Sequence, residues 1–197
     1  MDQQLERLAQ LFLKFPGIGQ HQAARFAYFI LTQPEHYVAS LARTLLDTRQ
    51  QAHTCTRCLR IFEGSGDRCD ICANPSRDQS KLLVVEKSQD IDSFRKTDYR
   101  GLFFVLGSLI PIVQKNVLAG TNIEKLKERV AFESMADYEV ILAFPLTPNG
   151  DHTDTIVRET LAQYPIELSS LGRGLSSGTE LEYADAASLN ASLKKRE

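Results

Sequence analysis

The chain has 197 residues, of which 43% are hydrophobic and 24% charged, with a formal net charge of −2 and an isoelectric point near 6.1. This balance argues against long disorder and excludes a broadly basic nucleic-acid coat, but it leaves room for a local basic patch. No apolar run approaches the roughly 18 residues of a membrane span, and the polar start MDQQLERLAQ predicts no signal peptide. We therefore expect a cytoplasmic chain with reduced cysteines.

The first fifty residues have the pattern of three helices. Apolar residues recur at i, i+3, i+4 and i+7 over residues 5–12, which predicts a helix with one apolar face. The Pro-Gly segment 15–19 ends this helix, a second apolar pattern covers residues 23–30, and Pro34 suits the first turn of a third helix. The apolar face predicted for the third helix consists of Val38, Leu41, Ala42 and Leu45.

From about residue 80, short apolar runs alternate with helical segments. The predicted strands are 82–86, 102–107, 138–144 and 165–171. The predicted helices are 88–96 with Ser88 as N-cap, 123–130, 153–163 and a terminal helix at 185–195. Because strands and helices alternate at this spacing, the sequence predicts an α/β fold with a parallel sheet and right-handed crossovers.

The four cysteines stand as Cys55-x2-Cys58-x10-Cys69-x2-Cys72. Each Cys-x2-Cys pair forms a tight turn that directs two thiolates to one point, and two such pairs complete a tetrahedral zinc site. Four sulfur ligands leave no open position, so the pattern predicts one structural Zn²⁺ ion per chain. Its binding energy would replace the missing core of residues 53–78. Two redox-active pairs or four unliganded thiols are the alternatives.

The residues around the cysteines favour the same interpretation. Gly64 and Gly66 let the ten-residue spacer turn back on itself. Three arginines, Arg57, Arg60 and Arg68, would help to hold the sulfur atoms as thiolates.

A second candidate site is the loop between the first two helices. Gly17 and Gly19 allow a tight turn, after which the amide groups that begin the next helix point outward and suit a phosphate group. Lys14 lies just before the loop and Arg25 one to two turns into the second helix. The pattern predicts a helix-hairpin-helix that holds the DNA backbone without reading bases. A plain Pro-Gly connection between helices is the alternative.

Acidic residues follow two of the predicted strands. Glu86 ends strand 82–86, and Asp151 follows strand 138–144. The carboxyl ends of parallel strands meet at one edge of a sheet, where carboxylates can hold Mg²⁺ for phosphoryl transfer. Asn149 is neutral at the position where such a site would have a third carboxylate, so the sequence favours acids without a metal. A Mg²⁺-dependent nuclease or primase-like enzyme using Glu86 and Asp151 is the alternative.

The order of these features resembles the RecR family of bacterial recombination mediator proteins over nearly the whole chain. The segment FPGIGQHQAARFAYFIL resembles the family's helix-hairpin-helix, and CTRCLRIFEGSGDRCDICANPSRD resembles its four-cysteine zinc finger. The segments LLVVEKSQDI, YRGLFFVLG and EVILA resemble three strands of its Toprim domain. The last segment, GRGLSSGTELEYADAASL, resembles the family's C-terminal part, which is described as Walker B-like.

The resemblance and the residue patterns together imply an α/β chain of four parts. These are a helix-hairpin-helix domain at 1–52, a four-cysteine zinc finger at 53–78, a Toprim domain at 79–171, and a Walker B-like segment with a helix at 172–197. From its residues alone, the glycine-rich start of the last part would be a surface loop, because it lacks the GK[ST] of a P-loop.

The resemblance also implies a function. RecR proteins are not enzymes; they form ring-shaped tetramers that encircle DNA and act with RecO and RecF to help load RecA onto single-stranded DNA. For this chain it implies a homotetrameric ring or a dimer, located in the cytoplasm at the nucleoid. The DNA contacts that it implies are Lys14, Gly17, Gly19, His21 and Arg25. The three positions that correspond to the acids of a Toprim site are Glu86, Asn149 and Asp151, and they would form a surface that binds a partner protein.

Two departures from the family pattern bear on function. Gln20-His21 stands where the family has Pro-Lys, which weakens one phosphate contact, whereas Arg25 matches the family's arginine. After the third strand, the family has two glutamates around a glycine, and Asn149-Gly150-Asp151 keeps one acid. A zinc-stabilised interaction module without DNA binding is therefore a further hypothesis.

Overall fold

The computed structural model describes residues 3–113, 121–133 and 137–172. The chain forms two compact units, of which the first ends at Ala52 and the second begins at His53. The expected Walker B-like segment and the expected helix at 185–195 lie outside the described residues. Within the described part, no helix is long and apolar enough to cross a bilayer.

The first unit is helical, as the apolar spacing predicts. Its helices are α1 (Gln3–Phe12), α2 (Gln20–Thr32) and α3 (Glu35–Gln51). Small side chains let α1 and α2 approach each other, and Ala23 and Ala27 are almost fully inaccessible to solvent. The ring of Phe12 packs edge-on against the rings of Phe15 and Phe26, with centroids 5.8 Å apart in both pairs. Aromatic contacts of this kind add to the stability from apolar burial.

Helix α3 contains no buried residue. Its predicted apolar face includes Leu41 and Leu45, whose exposed fractions are 36% and 61%. The rings of Phe29 and Tyr37 meet at a centroid distance of 6.3 Å and connect α2 with α3. Pro34 precedes α3 as its N-cap with extended backbone, rather than standing in its first turn.

The second unit is built around a parallel sheet, which confirms the predicted fold class. Its large sheet contains β3 (Asp78–Val85), β4 (Gly101–Val105), β5 (Glu139–Ala143) and β6 (Glu167–Ser170). The strand order is β4-β3-β5-β6, and each neighbouring pair is parallel. The helices between these strands are α5 (Ser88–Phe94), α6 (Ile123–Glu133) and α7 (Pro148–Leu161).

The cysteine-containing segment precedes this sheet in the chain. Its regular elements are a ribbon of β1 (Ala52–Thr54) and β2 (Ile61–Glu63) and a short helix, α4 (Asp70–Ala73). Gly64 and Gly66 have φ values of +140° and +102°, so the spacer turns back where glycine is needed, as predicted.

The sheet buries different partners on its two faces. One face packs against α6 and α7 in a core that includes Leu82, Phe104 and Tyr138. The other face, which includes Leu83 and Phe103, packs against α5 and the cysteine-containing segment. Residues 53–78 were expected to lack a sufficient core of their own. The sheet supplies the missing apolar surface.

Two helix starts differ from the sequence prediction. The N-cap of α5 is Lys87, whose backbone N–H donates to the Asp90 carboxylate at 2.8 Å. The predicted N-cap, Ser88, is wrong, because its hydroxyl oxygen instead accepts a hydrogen bond from the N–H of Ile61 at 3.2 Å.

Helix α7 begins at Pro148 instead of residue 153, because the Thr147 hydroxyl oxygen accepts from the N–H of Gly150 and caps it. Asn149 and Asp151 therefore lie in the first turn of a helix. Gly150 permits this early start, because any Cβ at this position would overlap the carbonyl oxygen of Pro145.

Candidate metal centre and nucleic-acid interface

The four cysteines converge on one point. Their Sγ atoms all lie within 4.8 Å of one another, and the residues are at most 5% exposed. The Sγ atoms of Cys58 and Cys69 are 3.6 Å apart, close to the ~3.8 Å between two sulfur ligands of a tetrahedral zinc ion with ~2.3 Å bonds. A disulfide would require a sulfur–sulfur distance of about 2.05 Å. The set therefore suits a sulfur-ligated tetrahedral cation.

Two backbone hydrogen bonds close the first Cys-x2-Cys turn, which we call the first knuckle (residues 55–60). The N–H of Leu59 donates to the carbonyl of Cys55, and the N–H of Cys55 donates to the carbonyl of Arg60, both at 2.9 Å. Leu59 closes this turn with φ of +61°, a conformation that costs a non-glycine residue about 1–2 kcal/mol. The knuckle thus places its two thiols at the expense of local backbone strain.

The pKa values of the four thiols are shifted in different directions. The pKa of Cys55 is lowered by hydrogen bonds from the thiols of Cys58, Cys69 and Cys72. The pKa of Cys72 is raised, because its hydrogen bonds with the other three thiols and its burial favour the protonated form. A divalent cation would replace the shared protons and allow all four sulfur atoms to be thiolates.

Two of the arginines expected to support the thiolates bind carboxylates instead. Nε of Arg57 lies 2.8 Å from Oε1 of Glu133, and Nη1 of Arg60 lies 2.9 Å from Oδ1 of Asp70. Arg68 is exposed. The sequence-based role of Arg57 and Arg60 is corrected accordingly: Arg57 joins the segment to α6, and Arg60 pairs with Asp70 within the segment.

Arg129 of α6 was not anticipated from the sequence, although it connects three parts of the second unit. Its Nη1 donates to the carbonyl oxygens of Arg57 at 3.1 Å and Phe103 at 2.8 Å, and its Nε donates to Glu133 at 2.9 Å. The i, i+4 spacing of Arg129 and Glu133 was a sequence signal for a helical ion pair. It gave no indication that the pair would be buried.

The loop between α1 and α2 has the geometry of a phosphate-binding turn. Gly17 has φ of +76°, where other residues are strained. Gly19 is the N-cap of α2 with an ordinary extended backbone, and no atom lies within 4 Å of the position that its Cβ would occupy. No side chain caps α2, so its first amide groups lack a side-chain acceptor. The helix start is open to an anion.

The DNA-contact side chains predicted near this loop are solvent-exposed. Lys14 precedes the turn, while His21 and Arg25 are four residues apart on one face of α2. Arg25 Nη1 donates to the side-chain oxygen of Gln22 at 3.3 Å, which orients the guanidinium. Residues 13–33 contain no Asp or Glu. An anion at the turn would therefore meet positive charge without a nearby carboxylate in this segment.

The residues considered for Mg²⁺ are differently engaged. Oε1 of Glu86 lies 3.0 Å from Nζ of Lys87, and the side-chain oxygen of Asn149 accepts from the N–H of Ile112 at 3.4 Å. Asp151 lies in the first turn of α7. Among the described residues, the cysteine cluster is the only group of three or more His, Cys, Asp or Glu side chains close enough to hold a metal. The geometry therefore favours the cysteines as the metal site.

Comparison with known proteins agrees with this arrangement. A family model described as "RecR, helix-hairpin-helix" matches residues 5–49, which include α2 and most of α1 and α3. A Recombination protein RecR from Porphyromonas gingivalis is 37% identical over 193 residues, which cover 98% of this chain and 91% of that protein. The chain belongs to the RecR family.

Further RecR relatives match at similar levels. The Recombination protein RecR of Chlorobium phaeobacteroides is 36% identical over 197 residues, covering 98% of this chain and 95% of that protein. The protein of the same name from Bifidobacterium adolescentis is 34% identical over 196 residues, which cover 99% of this chain and 96% of that protein. The similarity to RecR thus includes the cysteine segment and the parallel sheet as well as the helical unit.

Proposed function

We propose that this chain is a non-catalytic DNA-binding mediator of recombination and repair that forms a ring and acts with RecO and RecF homologues to help load RecA onto single-stranded DNA. The observation that carries the proposal is the open start of α2 after Gly17 and Gly19, within the segment that matches the RecR helix-hairpin-helix. The relatives are named as recombination proteins. We place this function in the cytoplasm, at the nucleoid.

The proposed DNA contact uses the turn and the cations beside it. The backbone amides at the start of α2 would bind one phosphate, with Lys14 and Arg25 neutralising the backbone around it and His21 as a hydrogen-bonding contact. The absence of acids from residues 13–33 keeps this surface attractive to phosphate although the whole chain has a net charge of −2. The contact reads no bases, which suits a protein that acts on DNA of any sequence.

The cysteine cluster would hold one Zn²⁺ ion per chain with a structural role. Four buried thiols within 4.8 Å of one another match the ligand set of a closed tetrahedral site. When bound, zinc would supply folding energy to the knuckles and leave no position for a reacting molecule. This assignment supports a non-catalytic protein whose metal fixes the segment that covers the sheet.

Ring formation is supported by the uncovered apolar surface of the first unit. Helix α3 has no buried residue, and Leu31, Leu45 and Leu46 are each more than 60% exposed. Several large apolar side chains exposed on one unit favour an interface with another protein surface. We assign it to a second copy of the chain. The Toprim-like sheet would serve as the partner surface, with Glu86, Asn149 and Asp151 at its carboxyl edge.

Oligomeric mass provides a direct test of the ring. We expect light scattering after size exclusion to give a tetramer or a dimer, and Leu45→Glu to reduce the mass toward that of the monomer. Leu45→Gln, which adds no charge, is the matched control and should dissociate less. A strict monomer at all concentrations would overturn the assembly.

DNA binding is tested by its dependence on salt. Arg25→Ala should lower the slope of log affinity against log salt concentration by about 0.9 on duplex DNA, because one phosphate contact is lost. His21→Lys, which introduces the lysine of the family pattern, should raise the slope by a similar amount. The control, Arg43→Ala, removes an 85% exposed cation of α3 and should change neither the slope nor the affinity for DNA. No DNA retention at low salt would overturn the proposed DNA contact.

Catalysis is tested separately. Incubating DNA with the purified chain and Mg²⁺ should yield neither cleavage nor primer synthesis. A Mg²⁺-dependent product that disappears in Glu86→Ala would contradict the non-catalytic assignment and establish the enzymatic alternative.

A further inference from the structure

A second basic surface lies in the second unit, next to the cysteine-containing segment. Arg77, Arg95 and Arg100 come from two connections of the chain and line one open cleft of about 460 Å³. Arg77 precedes β3, Arg95 follows α5, and Arg100 precedes β4. Arg95 and Arg100 belong to one short connection, and the tertiary structure brings Arg77 to them.

Two of the three arginines keep their charge available. Among the residues that the structure describes, neither Arg77 nor Arg100 forms a salt bridge. The guanidinium of Arg77 lies 5.7 Å from the centre of the Phe103 ring, and its Nη1 donates to the carbonyl of Tyr99 at 3.4 Å. Arg77 is thus held in place by neutral partners. Arg100 is solvent-exposed.

The acid in the cleft is already neutralised. Both carboxylate oxygens of Asp70 are occupied: Oδ1 by Nη1 of Arg60 at 2.9 Å and Oδ2 by Nη2 of Arg95 at 2.7 Å. Three arginines and one carboxylate line the cleft, so the lining retains net positive charge. Asp70 also fixes Arg95, because an ion pair restricts the long arginine side chain.

Neutral hydrogen-bond donors complete the site. Asn74 and Ser76 line the same cleft, and the N–H of Ser76 donates to Oδ1 of Asn74 at 2.9 Å. This bond occupies the amide oxygen of Asn74 and leaves its NH₂ group as the donor. Ile71 contributes the apolar part of the lining. Guanidinium forks with amide and hydroxyl donors suit phosphate oxygens, whereas a protein partner would need larger apolar anchors.

We propose that this cleft binds a phosphodiester group of a nucleic-acid backbone, as a second DNA contact in addition to the turn at Gly17 and Gly19. The inference rests on the proposed DNA-binding function. Arg77 and Arg100 provide the charge, and Arg95, held by Asp70, provides a preoriented fork. Because these groups would meet only the backbone, the contact adds affinity for nucleic acid of any sequence.

The test compares Arg100→Ala with Arg100→Lys in the full-length protein, using fluorescence anisotropy of a labelled oligonucleotide and of its duplex at several salt concentrations. Arg100→Ala should lower the salt slope by about 0.9 on the duplex and about 0.7 on the single strand. Arg100→Lys should keep the slope, because the charge remains, while weakening affinity through loss of the planar fork. Lys125→Ala, an exposed cation of α6 outside the cleft, should leave both values unchanged.

The outcomes separate this contact from the proposed function. An unchanged slope and affinity in Arg100→Ala, with a reduced slope in Arg25→Ala, would overturn the second contact and leave the first in place. If the parent chain binds neither oligonucleotide, the proposed DNA role itself fails, and this contact fails with it. Poly-glutamate is the probe for an acidic protein partner. Loss of its binding in Arg100→Ala with an unchanged DNA slope would assign the cleft to protein and overturn the proposal.

Discussion

Nε of Arg57 lies 2.8 Å from Oε1 of Glu133, and this ion pair joins the first cysteine knuckle to helix α6. The side chains are only 19% and 15% exposed. Arg129, one turn before Glu133, donates to the other oxygen of the same carboxylate. One buried acid therefore holds two arginines, and the knuckle depends on α6 as well as on its own thiols.

We predict that the ion pairs of Glu133 with Arg57 and Arg129 make the free energy of unfolding fall at acidic pH. Burial alone would raise the pKa of Glu133, but the hydrogen bond from Arg57 and the charge of Arg129 outweigh it and hold the pKa below its usual value. The stabilisation is therefore complete above the unfolded-state pKa of about 4.3 and is lost as the pH falls through the lower folded-state pKa.

Glu133→Gln should lower the free energy of unfolding by about 3 kcal/mol at neutral pH, because two arginines lose their buried partner. The difference from the parent chain should shrink as the pH falls below about 4. Urea denaturation across this pH range measures both effects. Glu128→Gln, at an exposed position of the same helix, is the control. A constant difference at every pH would contradict the assigned role.

The strained turn at Leu59 gives a prediction in which two substitutions differ. The side chain packs against the buried clusters on both faces of the sheet, while the backbone has φ of +61°. Leu59→Ala and Leu59→Gly both lose about 2 kcal/mol of apolar burial. Only glycine relieves the left-handed conformation, so Leu59→Gly should be more stable than Leu59→Ala by about 1 kcal/mol.

Thermal unfolding followed by circular dichroism gives this order directly. Glu128 serves as a comparison position in helix α6, where glycine should instead be less stable than alanine by about 1 kcal/mol. The same order at both positions would show that the Leu59 backbone stores no strain.

We predict that removing one cysteine ligand affects the sheet as well as the knuckles. Cys72→Ser should eliminate the one zinc ion per chain expected in purified protein and lower the melting temperature, because metal binding and folding are coupled. Hydrogen exchange should increase first in residues 53–78. It should then increase at Val105, whose N–H donates to the carbonyl of Cys58 at 2.9 Å.

Metal content by mass spectrometry and exchange mapped by peptide measure these changes. Ser65→Ala, in the exposed spacer between the knuckles, should keep the metal and the melting temperature. Freshly purified parent protein with little or no metal would contradict the zinc site.

The two glycines of the α1–α2 turn should respond differently to alanine. Gly17→Ala should lower the free energy of unfolding by about 1 kcal/mol, because φ at this position is +76°. Gly19→Ala should lower it by less, since its backbone is extended and the space around it is open, and only the poorer N-capping of alanine acts against the helix. The added methyl group would nevertheless stand at the start of α2 and weaken DNA binding. Equal DNA affinity in the parent chain and Gly19→Ala would place the phosphate elsewhere.

Much of the local structure followed from the sequence. Apolar spacing predicted the three helices of the first unit, and the alternation of strands and helices predicted the parallel sheet. These features are local, because a helix or a strand repeats its apolar positions every 3.6 or 2 residues. Helix starts differ from the sequence prediction at α5 and α7. The start of a helix depends on which nearby side chain accepts a hydrogen bond from its free N–H groups. At α5 the Asp90 carboxylate accepts from the N–H of Lys87, and Ser88 is not the N-cap.

The sequence by itself determined that the cysteines pair at a spacing suited to zinc and that a glycine turn joins two helices. Only the tertiary structure decided what surrounds them. Arg57 and Glu133 are 76 positions apart, and Arg77 lies before β3 whereas Arg95 and Arg100 lie in the connection between α5 and β4. Periodicity shows that a segment has an apolar face, but the partner of that face is set by packing across the chain. For this reason the docking of the cysteine segment onto the sheet and the convergence of the three arginines emerged only from the folded chain.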